Sequence, residues 1–164
     1  MVCYARIWNY EFVIANSIHY LKECPQKDVI QKLNNSIILQ KFFRRHCVVA
    51  RILRSFDYIL FLDADVGVVN PKRRIEEFLD PDVDIIFYDR FYNWEIAAGG
   101  YLAKNTQWTQ QFLNRFADYE VRLPPNSYHG SDNGALHVIQ LRALFYFFAH
   151  HLSVESEEEN IVLL

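Results

Sequence analysis

Cysteine is scarce in this chain, and metal-type cysteine spacing is missing altogether. Cys3, Cys24 and Cys47 are an odd number with no C-x-x-C pair, which argues against a zinc site and against a multi-bridge disulfide framework while leaving a single disulfide open. No apolar run approaches the roughly 20 residues that span a bilayer. Met1 is followed at once by polar and aromatic residues rather than by a basic segment and an apolar core, so no signal peptide is visible. Blocks of Lys or Arg are also absent and the formal net charge is −3. Nothing in this suggests a general nucleic-acid or membrane-surface binder, and an anionic partner has to be met by local basic groups. No internal repeat or linker divides the sequence.

What is present is apolar and aromatic. Hydrophobic residues make up 51% and aromatics 16% of 164 residues, which excludes wholesale disorder and suits one domain that buries roughly 70% of its unfolded surface. Residues 1–152 are expected to form that domain. The acidic tail 153–164, with four glutamates, has no obvious place in a core. The sequon Asn34-Asn35-Ser36 suits a secretory protein, although so common a tripeptide carries little weight.

Periodicity gives the expected elements. Met1 to Trp8 reads as a helix and Tyr10 to Ala15, with aromatic and β-branched side chains, as a strand. From Ile37 to Phe56 the residues Ile38, Phe42, Val49, Ile52 and Leu53 recur mainly at three-, four- and seven-residue spacings, with Lys41, Arg44, Arg45 and Arg51 between them, as on an amphipathic helix. Tyr58 to Leu62 reads as a buried strand, Val66 to Val69 as a short extended piece, and Asn70-Pro71 as the start of a helix through Leu79. Asp84 to Asp89 and Ile96 to Ala103 read as further strands. Asn105-Thr106 can cap a helix to about Tyr119 that buries Trp108, Phe112 and Phe116, and Ser131 or Asp132 can cap another through Leu144. Strands alternating with helices predict an α/β sandwich.

Three constellations carry chemistry. Asp63-Ala64-Asp65 follows the buried strand directly. If the backbone stays extended through Ala64, both carboxylates face one way and can serve a hard cation such as Mn²⁺ or Mg²⁺, with open positions for a nucleotide diphosphate. The plain alternative is a turn-capping aspartate. In His129-Gly130-Ser131-Asp132-Asn133-Gly134, short polar side chains and free backbone N–H groups gather at a helix start, suited to a polar substrate or simply to capping. Near Trp94-Glu95-Ile96-Ala97-Ala98-Gly99-Gly100, small residues admit close approach by a ligand or by a neighbouring strand, and Tyr92 and Trp94 offer flat faces for a sugar. Arg44, Arg45 and His46 can meet phosphates or form a solvated helix face. His137 reads as structural.

In this order, Phe61-Leu62-Asp63-Ala64-Asp65-Val66-Gly67-Val68-Val69-Asn70-Pro71, Ala97-Ala98-Gly99-Gly100-Tyr101-Leu102 with Asn105, and Ser131-Asp132-Asn133-Gly134-Ala135-Leu136-His137 resemble nucleotide-diphospho-sugar transferases of the GT-A fold. They look most like a nematode-expanded family long catalogued as a domain of unknown function, itself similar to galactosyl-, mannosyl- and xylosyltransferases with an Asp-x-Asp motif. The resemblance covers about Tyr4 to His137. It implies a Rossmann-like αβα sandwich with a mostly parallel central sheet, here lacking the first strand. It also implies Mn²⁺ or Mg²⁺ on Asp63 and Asp65, a UDP- or GDP-sugar donor held with help from Arg45, His46 and Ala64, and catalytic roles for Asp132 and Asn133. The sugar or a glycan acceptor would lie against Trp94, Ala98, Gly99, Gly100 and Ser131. The reaction implied is transfer of a hexose-type sugar to a glycan hydroxyl. The implied location is the Golgi lumen or membrane, behind an anchor with no counterpart here. Gln31 to Gln40 reads as an insertion, and the histidine that relatives carry after the last helix has no match. An inactive homologue that binds a nucleotide or a partner is the alternative, with a metal-dependent phosphohydrolase behind it.

Overall fold

The computed structural model describes residues 1–25, 36–122 and 132–139. Helix α1 spans Val2–Trp8 and α2 Ser36–Ile52; strands β1, β2 and β3 span Tyr58–Leu62, Ile85–Arg90 and Glu95–Lys104; helix α3 spans Gln107–Ala117. Residues 132–139 form helix α4. Three-ten turns at Ser17–Tyr20, Leu53–Ser55, Ile75–Phe78 and Asp118–Arg122 complete the described order.

The sheet corrects the expected fold. Its order is β1-β3-β2, and central β3 runs antiparallel to both neighbours, with Leu62 opposite Gly100 and Phe87 opposite Tyr101. The described residues therefore form a mixed α/β unit around a small antiparallel sheet, not the mostly parallel Rossmann-like sandwich. Connection length is the physical reason. Residues 91–94 alone join β2 to β3, and so short a link can only fold the chain back on itself, whereas parallel neighbours need a crossover of about a dozen residues or more. Between β1 and β2 the expected helix shrinks to the three-ten turn Ile75–Phe78, with Pro71 and Pro81 on either side. The hairpin adjusts its register between Phe87 and Tyr88, as a bulge does.

Other expectations shift for the same kind of reason. Tyr10 to Ala15 joins no described sheet and leaves Phe12, Val13 and Ile14 exposed; strand-type side chains are insufficient without a partner edge. Val66 to Val69 likewise belongs to no strand, and Val69 is 98% exposed. Trp108 is half exposed, stacked on Phe112 with ring centroids 5.2 Å apart, while Phe116 is fully buried.

The core lies between the sheet and the helices. Phe43 of α2, Ala98 of β3, Phe116 of α3 and Ala135 and Leu136 of α4 form one cluster. Val49, Ala50 and Leu53 join Tyr101, Ala103 and Leu113 in a second. Thr106 caps α3 by accepting a hydrogen bond from the backbone N–H of Thr109. Helix α1 docks on the loop after β1, where Tyr4 Oη donates to the Arg73 carbonyl at 2.7 Å, Trp8 Nε1 to that of Pro71 at 2.9 Å, and Arg74 lies 4.4 Å from the Trp8 ring.

Cys24 and Cys47 form a disulfide across 23 residues of sequence, and Cys3 is free and exposed. The bridge restrains the unfolded chain, so a loop of this size gives roughly 3 kcal/mol of stability. Denaturant titrations with and without reductant are expected to differ by about that amount; coincident curves would mean the bridge does not form in solution.

Candidate functional site

Helix α2 aims two consecutive side chains at different targets. His46 enters the core, fully buried, and stacks on Phe116 with ring centroids 4.1 Å apart. Arg45, one residue and about 100° earlier around the helix, reaches the end of the sheet. Its Nη1 pairs with Asp63 Oδ1, while its Nε and Nη2 donate to Asp132 Oδ2 at 2.9 and 2.5 Å. Phe42 and Phe61 flank the guanidinium carbon, 5.3 and 5.7 Å from their ring centroids, distances that suit cation–π attraction.

Each carboxylate is delivered by a different element. Asp63 is the first residue past β1, and its N–H donates to the Gly99 carbonyl on β3 at 2.8 Å. A Cβ at position 99 would lie 2.4 Å from Asp63 Oδ2, so only glycine lets that carboxylate rest against the β3 backbone. Asp132 opens α4 with 2% exposure. Next to it, Asn133 accepts from the Ala98 N–H at 2.8 Å and donates to Glu95 Oε1 at 3.0 Å.

A buried chain of hydrogen bonds fixes Asp132. His46 Nε2 lies 2.9 Å from Asp132 Oδ2, and His46 Nδ1 lies 3.1 Å from Tyr101 Oη. Burial lowers the His46 pKa from 6.5, outweighing the hydrogen bond and charge of Asp132. Burial likewise pushes the Tyr101 hydroxyl well above its usual range. The self-consistent assignment is thus Tyr101 O–H donating to Nδ1 of a neutral imidazole whose Nε2–H donates to Asp132. For Asp132, burial acts to raise the pKa, but the His46 hydrogen bond and the Arg45 guanidinium hold it below its ordinary value. Glu95 is similar: burial raises it, and hydrogen bonds from Asn133, Arg90 and Asn93 bring it lower.

These shifts set a pH dependence. Because the folded state keeps His46 neutral, the unfolded chain binds the extra proton once pH falls below about 6.5. Stability is expected to drop from there towards the lower folded-state pKa of His46. A further loss follows in strong acid, as pH falls through the depressed pKa of Asp132. Thermal melts at pH 7, 6 and 5 check the first part, and a transition temperature constant across that range contradicts a neutral buried His46.

Of the residues singled out from sequence, Arg45, His46, Asp63, Ala98, Gly99, Asp132 and Asn133 meet in this network. Asp65 and Ala64 do not follow as expected. The chain leaves its extended course into a turn, Val66 N–H donating to the Asp63 carbonyl at 3.2 Å, and both residues are exposed. Extended backbone therefore does not align Asp65 with Asp63. Gly100 pairs with Leu62, where a Cβ would make an ordinary 3.4 Å contact with the Leu62 side chain, so close strand packing explains it. Trp94 stands 86% exposed in the left-handed region at φ 59°, next to Glu95. Ser131 and His129 lie outside the described residues. His137 is structural, its Nε2 accepting from the Ile96 N–H at 3.1 Å. Tyr101 and Glu95 were not anticipated; the tyrosine follows Gly99-Gly100 directly and the glutamate adjoins Trp94, the signals available.

The implied divalent cation fits part of this donor set. Asp63 Oδ2 accepts no hydrogen bond among the described residues, and the side chain is 34% exposed. Exposed Asp65 is two residues away. No group of three or more His, Cys, Asp or Glu suited to a metal occurs among the described residues, so a cation at Asp63 would take most of its ligands from substrate phosphates and water, as Mg²⁺-type sites commonly do.

A family model described as "Protein of unknown function, DUF273" matches residues 1–157. No curated protein and no solved structure matches the chain.

Proposed function

We propose that this chain, which belongs to the DUF273 family of proteins of unknown function, is a metal-dependent glycosyltransferase that moves a hexose-type sugar from a UDP- or GDP-sugar to a glycan hydroxyl. The observation that carries this reading is the convergence on Arg45 of motifs far apart in sequence: Asp63 18 residues and Asp132 87 residues away, with Gly99 against Asp63. The proposal does not depend on a parallel sheet, since activity resides in the site rather than the fold. Asp63 would supply a carboxylate oxygen to the cation, with substrate phosphates and water as most of its other ligands. When bound, the cation neutralises charge on the departing diphosphate. Arg45 adds a fixed positive charge beside it. Asp132, 2% exposed, is held anionic and rigid by His46 and Arg45 and so positions the guanidinium. The partly exposed Asn133, oriented through Ala98 and Glu95, would present a polar group to the sugar or the acceptor hydroxyl. Tyr92 and Trp94, 70% and 86% exposed, offer stacking faces for a glycan on the same hairpin. A disulfide accords with an oxidising compartment such as the Golgi lumen.

Calorimetric titration of nucleotide sugars with and without Mn²⁺, against the native chain and Asp63→Asn/Asp65→Asn, tests the proposal. Metal-dependent binding that the double variant loses, with sugar transfer to a glycan panel, is the expected result. No metal-dependent binding of any nucleotide sugar overturns it. Binding without transfer favours the second reading, a non-catalytic nucleotide-binding homologue, to which the occupation of Asp63 Oδ1 by Arg45 lends weight.

A further inference from the structure

We infer that Arg45 stands in for the cation on Asp63 and makes binding of metal and nucleotide diphosphate interdependent; the inference rests on the function proposed above. The guanidinium is anchored unevenly. Its Nε and Nη2 hold Asp132, whose side chain is 3% exposed, while Nη1 alone holds Asp63, whose side chain is 34% exposed. The guanidinium carbon also lies 5.3 and 5.7 Å from the Phe42 and Phe61 ring centroids. Because the guanidinium is one rigid plane, the more exposed Asp63 carboxylate is the group that can turn off Nη1 while Arg45 stays on Asp132.

Charge determines when it turns. Arg45, Asp63, Asp132 and neutral His46 together carry about one negative charge, most of it already engaged. A free divalent cation approaching Asp63 has to displace Nη1 and then remain beside an uncompensated guanidinium, which repels it. A nucleoside diphosphate arriving with the cation removes both penalties, because a phosphate oxygen accepts the released Nη1–H and its charge offsets both cations. Arg45 thus keeps the site closed to free metal and opens it to metal with diphosphate.

The test uses Mn²⁺ alone, then Mn²⁺ with UDP or GDP, on the native chain and on Arg45→Gln, with free Mn²⁺ read by electron paramagnetic resonance. For the native chain, the better of the two nucleotides should tighten Mn²⁺ binding about ten-fold or more, within the usual range of coupling between sites. Arg45→Gln should bind Mn²⁺ alone about ten-fold more tightly than the native chain and lose most of that coupling. Equal Mn²⁺ affinities for the two proteins, with metal-dependent nucleotide binding intact, overturn the role of Arg45 and leave the proposed function standing. Absence of metal-dependent nucleotide binding in the native chain overturns both. Should Arg45→Gln fail to fold, the Arg45 Nε–H resonance of the native chain decides. It should move on adding Mg²⁺ with the diphosphate but not with Mg²⁺ alone; the same response to both contradicts the inference.

Discussion

Replacing Asp132 with alanine is expected to lower folding stability by about 3–5 kcal/mol, the cost of breaking a buried charge pair from one side. Asp132 is 2% exposed and receives Arg45 Nε and Nη2 and, from a fully buried ring, His46 Nε2. Without it, two guanidinium donors and one imidazole N–H lose their acceptor, and water has little access to replace it. Asp132→Asn keeps the volume and one acceptor oxygen, so its loss should be smaller, about 1–3 kcal/mol. Urea denaturation of both variants separates the two effects. An alanine variant within about 1 kcal/mol of the native chain would show that Arg45 and His46 find other partners.

Gly99→Ala is expected to spare the fold and disable the site. Its Cβ would fall 2.4 Å from Asp63 Oδ2 and 3.1 Å from Asp63 Cγ, closer than atoms tolerate, so the carboxylate must swing off the β3 backbone. The displaced atoms end a side chain that is partly exposed, and alanine suits a strand interior better than glycine does. The net change in stability should therefore stay within about 1 kcal/mol. Misplacing the carboxylate by about an ångström typically costs on the order of 100-fold in a positioned reaction, and a loss of that size is expected in the sugar transfer proposed above. Gly100→Ala is the control, because its Cβ would meet only Leu62 Cδ2 at 3.4 Å. If both variants transfer sugar at the native rate, Asp63 does not act from the position described.

The long helix, the capped helix after Thr106 and all three strands were legible because each rests on local signals: three- and four-residue apolar spacing, a side-chain cap, and short runs rich in Ile, Phe and Tyr. Strand direction was not legible. Period-two patterning is the same in parallel and antiparallel sheets, and the informative feature was the brevity of the 91–94 link between β2 and β3. The Asp63-Ala64-Asp65 geometry failed because it assumed extended backbone where a Val66-to-Asp63 turn forms.

By itself, the sequence determined the long helix, the helix after Thr106, the three described strands and the chemical inventory of the site: aspartates past a strand, a bare Gly-Gly strand, and Asp-Asn at a helix start. It treated Arg45 and His46 alike, as two groups that help hold a donor. Only the tertiary structure decided that His46 fills the core while Arg45 stands between Asp63 and Asp132. The physical reason is that helical periodicity fixes the angle between neighbouring side chains but not which face the sheet and α4 will cover. That choice follows from contacts between residues up to 87 positions apart.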